Sequence, residues 1–473
     1  MNDRRQRPSR PRGSRPPQRR AGPSKPPAVD PARQAALDTL RAVRERDAYA
    51  NLALPGLLKQ RRISGRDAAL ATELTYGACR AQGLLDAVLA ECSDRTLSDV
   101  DPKLLDGLRL GAYQLLRTRI PSHAAVASTV DIVRADSGSR LAGFANAVLR
   151  RVSEHDEKQW VDQLAPASDV DPVGHLALRY AHPRWIAQAF ADALGSTGAE
   201  LESALAADDA RPAVHLTARP GEISAEELAA ITGGEQASYS PYGVRLEPGA
   251  GDPGDLEPVR EGFASVQDEG SQLAALALTR VELDGPDARW LDLCAGPGGK
   301  ANLLGALLTL DGGTLDAVEQ SEHRAELLRR STEGLSVRVH VADGRDTGLE
   351  PGFDRVLVDA PCTGLGALRR RPEARWRRQA SDVAELAKLQ RQLVLSAVRL
   401  TRSGGVVAYV VCSPHLSETE GVVSDVVRRT GVRVLDARPH FPDVPELGDG
   451  PTVQLWPHRH GTDAMFCALL EIP

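Results

Sequence analysis

The sequence predicts a multidomain chain: an all-α N-terminal domain, a small α/β connector subdomain, and a C-terminal α/β domain built on an open, mostly parallel sheet. Three observations carry that reading. Residues 31 to 153 repeat apolar side chains at helical spacing. Residues 289 to 308 read as a buried strand, a glycine turn and an apolar helix, the unit from which nucleotide-sized crevices are made. After them, apolar strand-like runs alternate with helical ones, the pattern of a parallel sheet covered by helices.

The chain opens on a basic tail. Residues 1 to 28 hold eight Arg and one Lys against a single acid, Asp3, so the rest of the chain, whose total is −6, must carry −14. Rich in Pro and poor in large apolar side chains, residues 1–30 cannot bury enough surface to fold. They read either as a solvated tail or as a non-specific RNA tether. A helical domain then occupies 31–160: Ala35, Leu37, Leu40 and Val43 mark one apolar face, and Leu104, Leu108, Leu110, Leu115 and Leu116 another. Residues 154 to 175 are polar and Asp-rich and read as a linker. The connector unit covers 161–260, with helices near 184–194 and 198–206, a strand over 213–217 and a Gly/Pro-rich loop at 248–257. The large α/β domain spans 261–473 and starts with a helix over 267–278.

The chain has no run of about 18 apolar residues that could span a membrane, and it opens without a signal-peptide pattern. Six cysteines without C-x-x-C spacing argue against zinc and disulfides and fit a reducing cytoplasm.

Three ligands could fill the crevice at the glycine turn. A phosphate-binding loop needs a glycine where Cys294 stands and a Ser or Thr where Ala301 stands, so that reading fails. Gly296-Pro297-Gly298-Gly299-Lys300-Ala301 fits a dinucleotide pattern, which alone says little. S-adenosylmethionine is the third, a ligand held by carboxylates on its ribose and ammonium group. The strand ends favour it: Thr314–Glu319 ends in a carboxylate, Val337–Val341 is followed by Asp343, Asp354–Asp359 runs into Ala360-Pro361-Cys362-Thr363-Gly364, and Gly405–Val411 ends at Cys412-Ser413. In an open parallel sheet ligands bind beyond the carboxyl ends of the strands. Asp292, Glu319, Asp343, Asp359, Cys362 and Cys412 should therefore converge on one site.

These residues resemble the RNA cytosine-5 methyltransferases of the NOL1/NOP2/Sun family. Asp292-Leu293-Cys294-Ala295-Gly296-Pro297-Gly298-Gly299-Lys300-Ala301, Asp359-Ala360-Pro361-Cys362-Thr363-Gly364 and Val411-Cys412-Ser413 match its three motifs, with departures at Gly296 (Ala), Ala301 (Thr), Thr363 (Ser) and Val411 (Thr). Val266-Gln267-Asp268-Glu269, Arg371-Pro372-Glu373 with Trp376, and Gly461-Thr462-Asp463 add to the match. Upstream, Thr72-Glu73-Leu74-Thr75-Tyr76-Gly77, Leu108 to Gln114, Pro121 to Val126 and Asn146 to Arg150 are similar to the helical RNA-binding domain of the antitermination factor NusB. Taken singly, Tyr76, Tyr113, Gln114 and Asn146 read as packing or capping residues.

The resemblance implies a NusB-like domain ahead of a Rossmann-like class I methyltransferase with a mostly parallel seven-stranded sheet. It implies methyl transfer from S-adenosylmethionine to carbon 5 of a cytosine in 16S ribosomal RNA, by a monomer without metal. Both Cys362 and Cys412 follow strand ends, and thiol chemistry alone does not choose between them. By resemblance, Cys412 is the nucleophile and Cys362 resolves the covalent intermediate. Asp359 is placed to assist at ring nitrogen 3. Glu319 would take the ribose hydroxyls, Asp343 the adenine amino group, and Cys294 to Lys300 (Cys294, Ala295, Gly296, Pro297, Gly298, Gly299, Lys300) together with Asp359 would line the cofactor. Asp292 ranks below these as a brace of the turn. Lys300, Arg371 and Trp376 are the RNA-contact candidates, the last two within a basic run from Arg369 to Arg378. Cys294 and Cys467 read as packing residues. The alternatives are a nicotinamide-dependent oxidoreductase, which would use only the glycine turn and Glu319, and a non-catalytic RNA-binding assembly factor, for which the acid and two cysteines would be superfluous.

Overall fold

A computed structural model describes residues 29–473. The basic tail, and with it the expected RNA tether, lies outside the described residues. The N-terminal unit is helical: Pro31–Arg46, Ala50–Arg61, Gly65–Cys92, Pro102–Arg117, Ser122–Ser137 and Ser139–Val152 pack around one core. Two of these helices start at the same signal, an Asp before a Pro: Asp30 accepts the Arg33 N–H at 2.9 Å and Asp101 the Lys103 N–H at 2.8 Å. Ala35, Leu37, Leu40, Leu104, Leu108 and Leu110 are buried, as their spacing requires. Tyr113 donates to Glu73 at 2.6 Å and lies against Gly77, where a Cβ would sit 1.9 Å from its ring. Glu73, Gly77 and Tyr113 are thus one helix–helix contact.

The polar stretch 154–175 is mostly helical, which corrects its reading as a linker. Asp156 and Gln159 close a capping box at the start of Glu157–Leu164, and Asp171 caps Pro172–Arg179. Trp160 supplies the burial, its indole N–H donating to Val152 O at 3.0 Å. Helices Arg184–Leu194 and Ala199–Asp209 follow, then a four-stranded antiparallel sheet in the order β2-β3-β1-β4, from β1 (His215–Ala218), β2 (Glu235–Gln236), β3 (Gly243–Arg245) and β4 (Ala264–Val266).

The C-terminal domain is a seven-stranded, mostly parallel sheet between helices. Its strands are β5 (Arg289–Asp292), β6 (Thr314–Glu319), β7 (Val337–Val341), β8 (Phe353–Asp359), β9 (Thr401–Val411), β10 (Arg433–Leu435) and β12 (Phe466–Glu471), in the order β10-β12-β9-β8-β5-β6-β7. A two-residue β11 (Val453–Gln454) pairs only with β12. β9, β8, β5, β6 and β7 run parallel, whereas β12 is antiparallel to both its neighbours, β9 and β10. The order reverses between β5 and β8, so the crevice opens at the carboxyl ends of those two strands. No helix among the described residues is long and apolar enough to cross a membrane.

One segment ties the three units together. The basic run after Cys362 reads in sequence as an RNA face, and the structure corrects this. Arg375 has no exposed surface: it donates to Asp208 Oδ2 at 2.9 Å and to Ala181 O at 2.9 Å. Trp376 donates its indole N–H to Cys79 O at 2.9 Å and abuts Gly83 in the helical domain, so it packs between units. Arg377 donates to the carbonyls of Val43, Asp47 and Ala48. Arg371 alone of the two candidates remains exposed, with its guanidinium 5.3 Å from the Tyr49 ring centre.

Arg375→Ala should lower the free energy of unfolding by about 3–5 kcal/mol, because it strands Asp208 without its cation; denaturant midpoints at neutral pH measure this. Lys should not rescue it, since its single nitrogen cannot occupy the two places from which the guanidinium nitrogens reach Asp208 and Ala181. The same contact gives a pH dependence. Burial, then the Arg375 charge, depress His182 below its ordinary 6.5. The unfolded chain therefore takes the proton first, and this contribution is complete above pH about 6.5 and declines as pH falls below it. Thermal unfolding between pH 5 and 8 should show that direction.

Candidate active site

β5 delivers Asp292 to the crevice, and the chain then turns through Cys294 to Gly299. Gly298 has φ +107°, and a Cβ there would lie 2.0 Å from Ser331 Oγ, so this position requires glycine. Ala295 N–H donates to Val318 O at 2.9 Å and Gly298 N–H to Ala295 O at 3.1 Å, which fixes the turn against β6. The helix Gly299–Asp311 then begins without a side-chain cap, leaving its first N–H groups without a side-chain partner.

Four acids and a lysine surround that turn. Lys300 is only 8% exposed and donates to Asp359 Oδ2 at 2.7 Å. Burial alone would lower its pKa, but the charge and hydrogen bond of Asp359, followed by the charges of Cys412 and Asp292, raise it, so Lys300 keeps its proton. Glu319 at the end of β6 accepts the Ser321 N–H at 2.8 Å through one oxygen, and its other lies 3.6 Å from Arg324. Asp343 follows β7 and is gripped by Arg345, whose side chain and backbone N–H both donate to it; those bonds hold its pKa down. Asp292 is 1% exposed, accepts the Cys294 N–H at 3.3 Å through Oδ1, and has no partner for Oδ2. Burial, then the Asp359 charge, push its carboxyl up to about 7.

The two cysteines of the strand-end motifs meet: Cys362 Sγ and Cys412 Sγ are 3.5 Å apart. The hydrogen bond to Cys412, then burial, then the charges of Cys412 and Glu418 raise the Cys362 thiol well above its ordinary value. Cys412 lies within range of the Lys300 charge. Cys294 is raised by burial and by Asp292, and Cys467, inside β12, is pushed up to about 12 by burial; both are inert packing thiols.

The structure thus gathers Asp292, Lys300, Asp359, Cys362 and Cys412 at the carboxyl ends of β5, β8 and β9, with Glu319 and Asp343 at the next two strand ends. Arg371 and Trp376 belong to the junction between units. Sequence reasoning missed Glu418, a fully buried acid behind both cysteines; Asp292 accepts the Cys294 N–H within the turn, the contact expected of a brace.

The donor set fits S-adenosylmethionine. That molecule carries a sulfonium and an ammonium, and the crevice holds an unpartnered buried carboxyl oxygen, a second half-engaged carboxylate at Glu319, and free helix-start N–H groups for a carboxylate. Asp292→Asn tests the fit. Because the folded carboxyl titrates near 7, above the 3.8 of a free one, ionising it in the ligand-free protein costs stability as pH rises from about 4 through 7. The Asn variant should therefore match wild type near pH 4 and melt several degrees higher at pH 8. With S-adenosylmethionine the order reverses, its calorimetric affinity falling about tenfold as a charge-assisted contact is lost.

Residues 280–471 match the family described as 16S rRNA methyltransferase RsmB/F, and residues 30–154 match the NusB family. The chain is 61% identical over 454 residues to "Putative methyltransferase Rv1407" of Mycobacterium tuberculosis, covering 96% of this chain and 99% of the relative. It is 33% identical over 417 residues to ribosomal RNA small subunit methyltransferase B of Pseudomonas putida, covering 85% and 91%. The fold is shared with the crystal structure of PH0851, at a TM-score of 0.76 and 24% identity over 94% of this chain and all of that one. With the glycine turn, the thiol pair and the NusB-like helices in one chain, the protein belongs to the RsmB/F family of S-adenosylmethionine-dependent RNA cytosine methyltransferases.

Proposed function

We propose that the chain methylates carbon 5 of a cytosine in 16S ribosomal RNA through a covalent adduct to Cys412. The observation that carries this reading is the pair of sulfurs 3.5 Å apart beside the Lys300–Asp359 ion pair. Family relatives named for the small-subunit ribosomal RNA support the choice of RNA.

Cytosine carbon 5 is a weak nucleophile, so its reaction needs help from the protein. As a thiolate, Cys412 adds to carbon 6 and turns carbon 5 into an enamine-like centre. The Lys300 ammonium and the Asp359 carboxylate it holds form one proton-sharing unit that can stabilise charge on the pyrimidine at nitrogen 3. Bound S-adenosylmethionine supplies the methyl group that carbon 5 takes. Loss of the carbon 5 proton to water, with the carbon 6–sulfur bond breaking so that its electron pair returns to the Cys412 sulfur, then restores the aromatic ring. Cys362, which stays protonated, is within contact of the departing Cys412 sulfur and can give it a proton, which is the chemical meaning of a resolving thiol. Glu319 is suited to the ribose hydroxyls. At Asp343 an adenine amino group would share the carboxylate with Arg345. A target base must leave any stack to reach thiols set this deep.

Cys412→Ala should reduce methyl transfer by more than about 10³-fold and form no covalent RNA adduct. Cys362→Ala should still add to the base but release it slowly, leaving a protein–RNA species that survives denaturant on a gel. Cofactor affinity should change by less than twofold in either. A persistent adduct with Cys412→Ala and none with Cys362→Ala would reverse the two roles.

A further inference from the structure

Glu418, six residues after Cys412, is a buried acid that the chemistry above does not use. Its carboxylate accepts the Thr363 N–H at 2.8 Å, the Gln390 side-chain N–H at 3.0 Å, the Ser413 hydroxyl at 2.7 Å and the Thr363 hydroxyl. None of these donors is charged, so the acid sits in a cradle of neutral hydrogen bonds. Thr363 is the residue after Cys362, and Ser413 is the residue after Cys412. Gln390 also donates to Pro361 O at 2.9 Å, on the other side of Cys362. The Tyr409 hydroxyl, from inside β9, donates to the Glu418 carbonyl. A single carboxylate therefore grips both strand-end loops next to their thiols.

We propose that Glu418 is the positioning residue that makes the two cysteines a working pair, setting the distance between their sulfurs through Thr363 and Ser413. This rests on the reading of Cys412 as nucleophile and Cys362 as resolving thiol. β8 and β9 pair as far as Asp359 and Val410, and Gly366 N–H donates to Cys412 O, which brings the two loops together without setting the distance between their sulfurs. Hydrogen bonds to a buried anion are stronger than those between neutral groups and have narrow geometry, so the shared acid, bonded to the residue after each thiol, sets it. Its charge also acts, being one of the influences that keep the proton on Cys362, while Lys300 faces Cys412. The two sulfurs are chemically alike, and Glu418 on one side with Lys300 on the other makes them different.

The test uses the full-length protein and needs no RNA for its first readout. Diamide takes two electrons and two protons from the two thiols, closing a Cys362–Cys412 disulfide and becoming a hydrazine; mass spectrometry follows the linked peptides. Wild type should close quickly. Glu418→Gln, which keeps an acceptor for Thr363 N–H and Gln390, should close within about threefold of that rate. Glu418→Ala should close at least about tenfold more slowly while binding S-adenosylmethionine normally. Iodoacetamide labelling of Cys362 should shift to lower pH in Glu418→Gln, a change that loss of shape alone would not cause. With RNA, Glu418→Ala should lose kcat with little change in KM. Disulfide closure at the wild-type rate in Glu418→Ala would overturn the proposal. Should that variant fail to bind cofactor, Thr363→Val with Ser413→Ala, which leaves the acid and removes both hydroxyl tethers, decides it on the same rate. An absent RNA adduct in Cys362→Ala would refute the proposed reaction and leave the disulfide rates to judge Glu418.

Discussion

Everything at this site depends on where the segment after Cys362 is allowed to go. It leaves the thiol through Thr363, which Glu418 holds, and passes Gly366, whose N–H donates to Cys412 O at 2.9 Å. A Cβ at Gly366 would lie 2.0 Å from Ala464 O, so this crossing cannot be widened. Arg369 and Arg370 then reach Asp463, and Arg370 reaches Asp268 as well, at 2.5 Å. Burial alone would raise Asp268, but the charges of Arg370 and Arg369 hold it low, so it stays ionised. Four residues from three places in the chain thus become one ionic cluster. It brackets the loop after Cys362 between the helix after Asp268 and the turn before β12. Arg375 and Trp376 carry the same segment into the helical domain.

Charge in the crevice follows a second rule. Asp292, Glu319 and Asp359 converge on a turn where Lys300 pairs with Asp359 and Arg324 lies 3.6 Å from Glu319, so Asp292 is the acid left without a cation. Burial, then the Asp359 charge, raise its carboxyl. A cationic ligand group beside it relieves that cost. Lys300 is committed to Asp359 rather than to the protein surface.

Much of this was legible in the sequence because parallel strands expose their chemistry at one end. A strand that finishes in Glu319, Asp359 or Cys412 places that residue at the crevice edge whatever else the chain does, and the structure puts each there. The glycine turn was legible for a similar reason: the φ of Gly298 is one that other residues rarely take. The basic run failed because its partners leave no mark in sequence. Arg375 and Arg377 bind backbone carbonyls of Ala181, Val43 and Ala48, and any residue can offer a carbonyl. The helices in 154–175 were readable, since Asp156 with Gln159 and Asp171 with Pro172 are ordinary start signals; the high polarity of the stretch masked them. Glu418 was hidden differently. In Ser417-Glu418-Thr419-Glu420 it looks like a solvated loop, and only the packing of two loops shows that it has no contact with water.

The clamp has a mechanical consequence for how the enzyme meets its RNA. From Cys362 to Trp376 the chain is pinned at Thr363, Gly366, Arg369, Arg370, Glu373 and Arg375 to three different units. Glu373 itself accepts the Ala50 N–H at 3.2 Å, at the start of a helix in the NusB-like domain. A segment so tied does not let that domain swing without moving the loop that carries Cys362. Exposed Arg371, over the Tyr49 ring of the helical domain, marks where that shared surface reaches solvent. The helical domain is therefore part of the frame that holds the thiols, and an RNA gripped there is registered against the same backbone that sets Cys362 beside Cys412.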